Sequence, residues 1–348
     1  MGPIRSDGRD IDTSIASLSG EAAEQRTRYA PHAPELWRAI PGEDRAAVTY
    51  YGQPLLKTSV WGIDIPLYYF VGGAAGAALA LGAALQIVCG NPRCERELRK
   101  FSATCHWIGI IGSSLGAVFL IHDLGKPLRF LNMMRVFRPT SPMNMGVWIL
   151  GGAAPTAIAT GLFLNRDGWL GRVGEAAGLS SGIFGLALSS YTGVLVANSA
   201  IPVWQDSRRW MPVLFAASGA SAAASILELF YGGPRASRIT QVFGAASRSA
   251  ELAAAKLVQS SASAVPRVGV PFRRGRGGAL WKAASILTAA SLGLSLIPGR
   301  SRGVKRLAGT LGAVGSLCLR FAVHYISQAS SRDARASFDH QRAQPFVG

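Results

Sequence analysis

Residues 122–148, HDLGKPLRFLNMMRVFRPTSPMNMGVW, concentrate groups able to do chemistry between two long apolar runs. The stretch opens on His122 and Asp123 and carries the cations Lys126, Arg129, Arg135 and Arg138. Charges this dense beside apolar segments are costly unless they stay wet or are used. An imidazole next to a carboxylate can take up and release protons near neutral pH.

Other ionisable or hydrogen-bonding residues fall at helical spacing. Asp64 and Tyr68 are four apart, as are Arg320 and His324, and Tyr191 and Asn198 are seven apart. Each pair therefore shares one helix face. Glu251 is the carboxylate placed deepest in an apolar setting, which suits a proton path. Plainer roles compete with each. Tyr68 and Tyr191 can be interface aromatics, and Asn198 can be glue between helices. Asp64 can cap a helix N-terminus, and Arg320 can snorkel to headgroups. His122 and His324 can be wet boundary histidines. Arg248, three residues before Glu251, can be its ion partner. Glu228 and His106 give weaker signals, toward the other end of their helices.

The elements that must position these groups read as membrane helices. The chain of 348 residues is 49% hydrophobic and only 16% charged; a soluble domain averages about a quarter charged. About eight stretches approach the ~20 apolar residues of a spanning helix: 66–88, 103–121, 143–164, 177–200, 210–231, 239–260, 281–298 and 304–326. Pro66 suits a first helical turn, and Gly72 and Gly76 form a small-xxx-small face. The sixth stretch is weakest because Arg248, Glu251 and Lys256 interrupt it, and a surface amphipathic helix is the alternative. Eight spans put both tails on the side of the 122–148 connector. They also bring Asp64, Tyr68, His122, Asp123, Tyr191, Asn198, Arg320 and His324 toward that side. The expected organisation is a polar, largely extended N-terminal tail over 1–60, with a short helix near 21–28. A helical membrane domain follows over 61–327, then a polar tail over 328–348.

Several classes are disfavoured. The net charge of +17 would suggest nucleic acid in a soluble protein, but the cations lie mostly between apolar runs, where headgroups and topology account for them. They flank both sides and do not orient the chain. Cys89, Cys94, Cys105 and Cys318 include no CxxC pair and no zinc or iron–sulfur spacing, so no metal site is expected. His106 and His122 would lie roughly 24 Å apart along one helix and cannot share a haem iron. The first twenty residues lack the apolar core of a secretory signal, so the first span is expected to direct insertion.

The 122–148 stretch resembles the D-L-G-R-P…R-F…P-T-S-P-M…G-x-W signature of NrfD-type proteins, the polysulfide reductase membrane-subunit family. WGIDIPLYYFVGGAAG (61–76) and YTGVLVANSAIPVW (191–204) match in order and spacing. The resemblance covers about residues 50–330, and a motif this long is far more specific than a lone glycine pattern. Lys126 stands where the signature has Arg, which keeps the charge and loses the planar fork.

This resemblance implies an all-α integral membrane protein of about eight transmembrane helices, arranged as two four-helix bundles in the cell (inner) membrane. It implies a subunit without haem or iron–sulfur cluster that exchanges electrons between quinone (menaquinone or ubiquinone) and a ferredoxin-like iron–sulfur subunit. That subunit would serve a molybdopterin-type or multihaem catalytic partner. On this reading Tyr68, Tyr191, Asn198 and His122 bind the quinone, and Asp64, His122 and Asp123 exchange protons. Lys126, Arg129 and Arg135 serve the loop or partner contact, Glu251 a proton path. The chain would not be catalytically complete alone. The alternatives are a solute or ion transporter, for which no internal repeat is found, and an anchor without chemistry.

Overall fold

The computed structural model describes residues 9–12, 17–20, 54–57, 61–89, 95–125, 128–164, 166–230 and 233–343. Contacts divide the chain into two units, one of residues 1–51 with 58–60 and one of 52–57 with 61–348. In the first unit, β1 (Arg9–Asp12) pairs antiparallel with β2 (Ser17–Gly20). Both strands are extended chain, and most of the rest of the tail expected over 1–60 lies outside the described residues. The short helix expected near 21–28 lies outside the described residues.

The second unit is helical. Its long helices are α1 (Asp64–Cys89), α2 (Arg96–Asp123), α4 (Pro142–Phe163), α5 (Gly168–Ala197), α7 (Met211–Phe230), α8 (Pro234–Ala262), α9 (Gly275–Leu296) and α10 (Arg302–Arg332). Short helices α3 (Leu128–Met134), α6 (Pro202–Asp206) and α11 (Ala334–Ala343) join or follow them. Helices α1, α2, α4 and α5 pack as one four-helix bundle and α7 to α10 as a second, with α1 and α5 against α7 between them. Among the described residues seven of these helices are long and apolar enough to cross a membrane; α8 is the exception. The protein is an all-α, multi-pass integral membrane protein.

Side-chain placement suits a lipid surround. Ile111, Val118, Ile183, Leu186 and Ile286 point outward. Small or polar residues such as Ser181, Ser221, Ser225, Ser291 and Ser316 are buried. Without a hydrophobic force between helices in lipid, close backbone packing takes over. A methyl group at Gly185 would sit 2.5 Å from the Gly76 carbonyl oxygen, so α1 and α5 touch backbone to backbone there.

Helix α8 resolves its own oddity. Its 29 residues match a span in length, and its charged Arg248 and Glu251 are buried. Gln241 Nε2 donates to Ser295 O, and Trp281 Nε1 donates to Gln259 Oε1. These contacts run α8 antiparallel along α9. Arg248 and Glu251 thus face protein, whereas Lys256, the third charge of the stretch, is exposed. At the other end of the domain, the polar tail expected over 328–348 is largely helical where it is described. Helix α10 continues to Arg332, and α11 buries Ala336, Ser337 and His340.

Candidate functional site

Local sequence fixes the site end of the first bundle. The DLG of the connector closes α2: Leu124 N donates to Leu120 O, Gly125 N donates to His122 O, and Gly125 takes φ +70°. That left-handed position favours glycine. The turn leaves His122 and Asp123 on the last helical residues. The TSPMN run starts α4: Ser141 caps it, its Oγ accepting from Asn144 N at 3.5 Å, and Pro142 takes the first turn. Asn144 is buried and ties down the connector. Its Nδ2 donates to Met133 O (2.6 Å) and Val136 O (2.9 Å), and its Oδ1 accepts from Arg138 N (2.7 Å).

The groups brought together are Tyr68, Tyr69, Asp123 and Tyr191. The Tyr68 and Tyr191 hydroxyls lie 2.9 Å apart, both side chains buried. Asp123 Oδ1 accepts from Gly62 N at 3.3 Å. With Trp61, Ile65, Leu120, Leu124, Met133, Met143, Val147 and Leu195 these residues line one cavity of about 40 Å³. Beside it, His122 Nδ1 lies 3.0 Å from Asp64 Oδ2, with the imidazole largely exposed. The site is thus an apolar slot with two phenols at its base, a carboxylate on its rim and an imidazole–carboxylate pair opening to water.

Not every residue named from the sequence joins it. The Asn198 side chain is exposed and donates to Val194 O on its own helix, away from the cavity. His122 and Asp64 stand outside the lining, as a pair beside it. Arg135 is exposed. Lys126 and the side chain of Arg129 lie outside the described residues. His324 meets Gln328 at 3.1 Å.

Arg320 does not snorkel to headgroups. It is buried, donates from Nη2 to Phe215 O at 2.9 Å, and stacks its guanidinium 4.1 Å from the Phe215 ring centre. Phe215 in turn meets Tyr69 edge to face at 5.6 Å. Glu251 is buried with Ser316 Oγ donating to it at 3.4 Å. Arg248 pairs not with Glu251 on its own helix but with Glu228 of α7, at 2.7 Å, while donating to Ser225 and Ser295. Arg300 joins the same carboxylate at 3.3 Å. Buried charges need such pairing to be tolerated.

The sequence reading missed Tyr69, Asn144 and Gly146. Tyr69 adjoins Tyr68, and its buried hydroxyl has no hydrogen-bond partner. Asn144 and Gly146 both lie in the quoted signature. A methyl group on Gly146 would run into the Tyr191 ring, so this glycine makes the space in which that ring lies. Among the described residues no group of three or more His, Cys, Asp or Glu is placed to hold a metal ion.

Two helical bundles with a polar slot at one end of the first define a polytopic membrane subunit. The model of the polysulphide reductase NrfD family matches residues 54–236, more than half the chain, and the protein belongs to that family. It is a membrane subunit of the polysulfide reductase-like kind of oxidoreductase complex. A search of curated proteins finds no match.

Proposed function

We propose that this chain is the quinone-reactive subunit of a respiratory oxidoreductase in the cell (inner) membrane. It exchanges electrons between quinone or quinol and a docked ferredoxin-like iron–sulfur subunit. That subunit serves a molybdopterin-type or multihaem catalytic subunit. The observation that carries the reading is the Tyr68–Tyr191 hydroxyl pair, buried at the base of an apolar slot with Asp123 on its rim.

The residues present suit a quinone. A quinol releases two electrons and two protons on oxidation. The two phenols can turn their hydroxyls from each other toward a ring oxygen, and the unpartnered Tyr69 hydroxyl adds a third donor. Trp61, Ile65, Leu120 and Val147 form apolar walls. Seating a ring requires Met133 and Met143 to turn aside, as unbranched thioether chains can. Asp123 accepts a proton at the rim, and the Asp64–His122 pair passes it to water.

Exposed Leu131, Val136, Phe137 and Met143 beside Arg135 and Arg138 form an apolar, cationic surface at the site end, suited to an acidic partner. Proton translocation is part of the same reading. The path runs from Tyr69 by Arg320 to Glu251, Ser316 and Ser221, then by Ser225 to Arg248, Glu228 and Arg300. Buried Tyr69 Oη, Arg320 Nε, Arg248 Nε and Arg300 Nε lack partners along it, and orphan donors of this kind recruit internal water.

The test is quinol oxidation by the complex purified with its native partners, parent against Tyr191→Phe. A loss of at least about tenfold, roughly 1.4 kcal/mol of barrier, in an intact complex supports the reading. Full activity sinks it. Solute uptake by the lone chain in liposomes would favour a transporter instead.

A further inference from the structure

The two bundles leave a trough between them that starts at the end opposite the slot. Helix α1 begins beside the slot, and α2 returns from its far end. The start of α8 lies there too, because Ala236 N donates to Glu97 Oε1 of α2 at 2.9 Å. A cavity of about 690 Å³ opens between Leu98 of α2 and Arg235, Arg238, Ile239, Val242, Phe243 and Ala246 of α8. A second cavity of about 540 Å³ shares Phe243 and Ala246 and continues along α8 to Ala250. Ala80 and Ala84 of α1, Leu186 of α5 and Ala220 of α7 line it. Small side chains on three helices make it a trough where large ones would fill the seam. Arg235 to Ala250 covers roughly 22 Å along α8 at ~1.5 Å per residue, more than half of the ~30 Å hydrocarbon core. Its length and apolar lining match the acyl chains of one leaflet.

The mouth of the trough is selective in charge. Arg235 and Arg238 both line it and are exposed. Arg235 Nη1 pairs with Glu95, and Glu97 is held by the first turn of α8. A headgroup amine therefore meets carboxylates that are already engaged. Among the described residues no hydrogen bond or ion pair holds Arg238. The start of α8 adds the positive end of its helix dipole. An exposed guanidinium above an apolar trough suits a phosphodiester, which it can meet with two nitrogens.

We propose that this trough is a binding site for one anionic phospholipid of the phosphatidylglycerol class. Its phosphate lies between Arg238 and the start of α8, one acyl chain passes over Ala246 toward Ala250, and the bound lipid closes the seam between the two bundles. The site is separate from the slot, and it stands whether or not the slot binds quinone.

The test uses the full chain in detergent, stripped of lipid and titrated with dioleoylphosphatidylglycerol or dioleoylphosphatidylcholine, with bound lipid read by native mass spectrometry. The parent is expected to bind one phosphatidylglycerol at least about tenfold more tightly than phosphatidylcholine, the scale of one charge-assisted contact. Arg238→Gln should remove that preference. Ala246→Phe fills the junction of the two cavities and should weaken both lipids. Both positions are exposed, so neither variant disturbs the interior. Arg302→Gln, an exposed cation at the start of α10, should bind like the parent. Equal affinity of the parent for the two lipids overturns the proposal, as does a preference that survives Arg238→Gln. Unchanged binding in Ala246→Phe overturns it as well. A dimer mass that Ala246→Phe abolishes would make the trough a contact between copies and overturn it too. No readout involves electron transfer, so loss of the quinone reading would leave this result standing.

Discussion

The hydroxyls of Tyr68 and Tyr191 meet at 2.9 Å across the seam between α1 and α5, with Gly146 of α4 leaving space for the Tyr191 ring. Three helices thus hold one hydrogen bond at the base of the slot. Phenols so placed are rigid, shielded from water and free to exchange their mutual bond for one to a ligand. Tyr68→Phe and Tyr191→Phe are each expected to lower quinol oxidation at least about tenfold while costing only about 1 kcal/mol of stability. Steady-state rates and thermal melts on the same purified complexes decide it.

Asp123→Asn removes a titratable group and keeps much of its shape. The amide oxygen can still accept from Gly62 N, so subunit assembly is expected to persist while quinol oxidation falls about tenfold or more. If instead assembly fails before turnover does, Asp123 is a structural residue and the rim has no proton-exchanging role.

Gly146→Ala tests the positioning of Tyr191. The added methyl forces the ring off Tyr68, so activity should fall at least as far as in Tyr191→Phe, with a stability loss of about 1–3 kcal/mol from overpacking. Gly293→Ala on α9, where a methyl meets nothing within 4 Å, should be neutral or mildly stabilising. Equal activity in the two variants would remove Gly146 from the site.

The second bundle predicts a contrast between its two buried carboxylates. Glu228 neutralises both Arg248 and Arg300. Glu228→Ala leaves two guanidinium groups buried without their carboxylate and should cost about 3–5 kcal/mol, read as loss of folded protein in detergent. Glu251→Gln keeps a group able to accept from Ser316 Oγ. It should fold and oxidise quinol but lose proton release across vesicle membranes. Unchanged proton release would take Glu251 out of the path.

A pH dependence is expected where α11 meets α6. His340 Nδ1 lies 2.9 Å from Asp206 Oδ1. Burial raises the Asp206 carboxyl above its ordinary value of 3.8, and His340 pulls it partly back. The native state therefore holds this proton more tightly than the unfolded chain does. The Asp206 contribution to stability falls as pH rises from the ordinary value through the raised one. Hydrogen exchange over α11, corrected for intrinsic rates, should show less protection at the upper end of that range, and Asp206→Asn should flatten the trend. A slope that survives Asp206→Asn would assign it to another group.

Sequence alone determined the class and most of the elements. Long apolar runs leave a chain no option but to satisfy its backbone internally in lipid, and helices do so residue by residue. The DLG and TSPMN signals are equally local, because a left-handed glycine and a serine cap act within one helical turn. The connector was therefore legible as the place where α2 stops and α4 starts. What the fold alone decided is which side chains meet. Tyr68 and Tyr191 are 123 residues apart, and their bond exists because Gly76 and Gly185 let α1 and α5 close on each other. Asn198 caps the helix that carries Tyr191, yet its amide turned back to the Val194 carbonyl, a choice that periodicity does not encode. Arg248 looked toward Glu251 on the same helix and found Glu228 across the bundle instead. A buried guanidinium takes the carboxylate that can meet it with both nitrogens, and three-dimensional packing, not sequence spacing, sets which carboxylate that is.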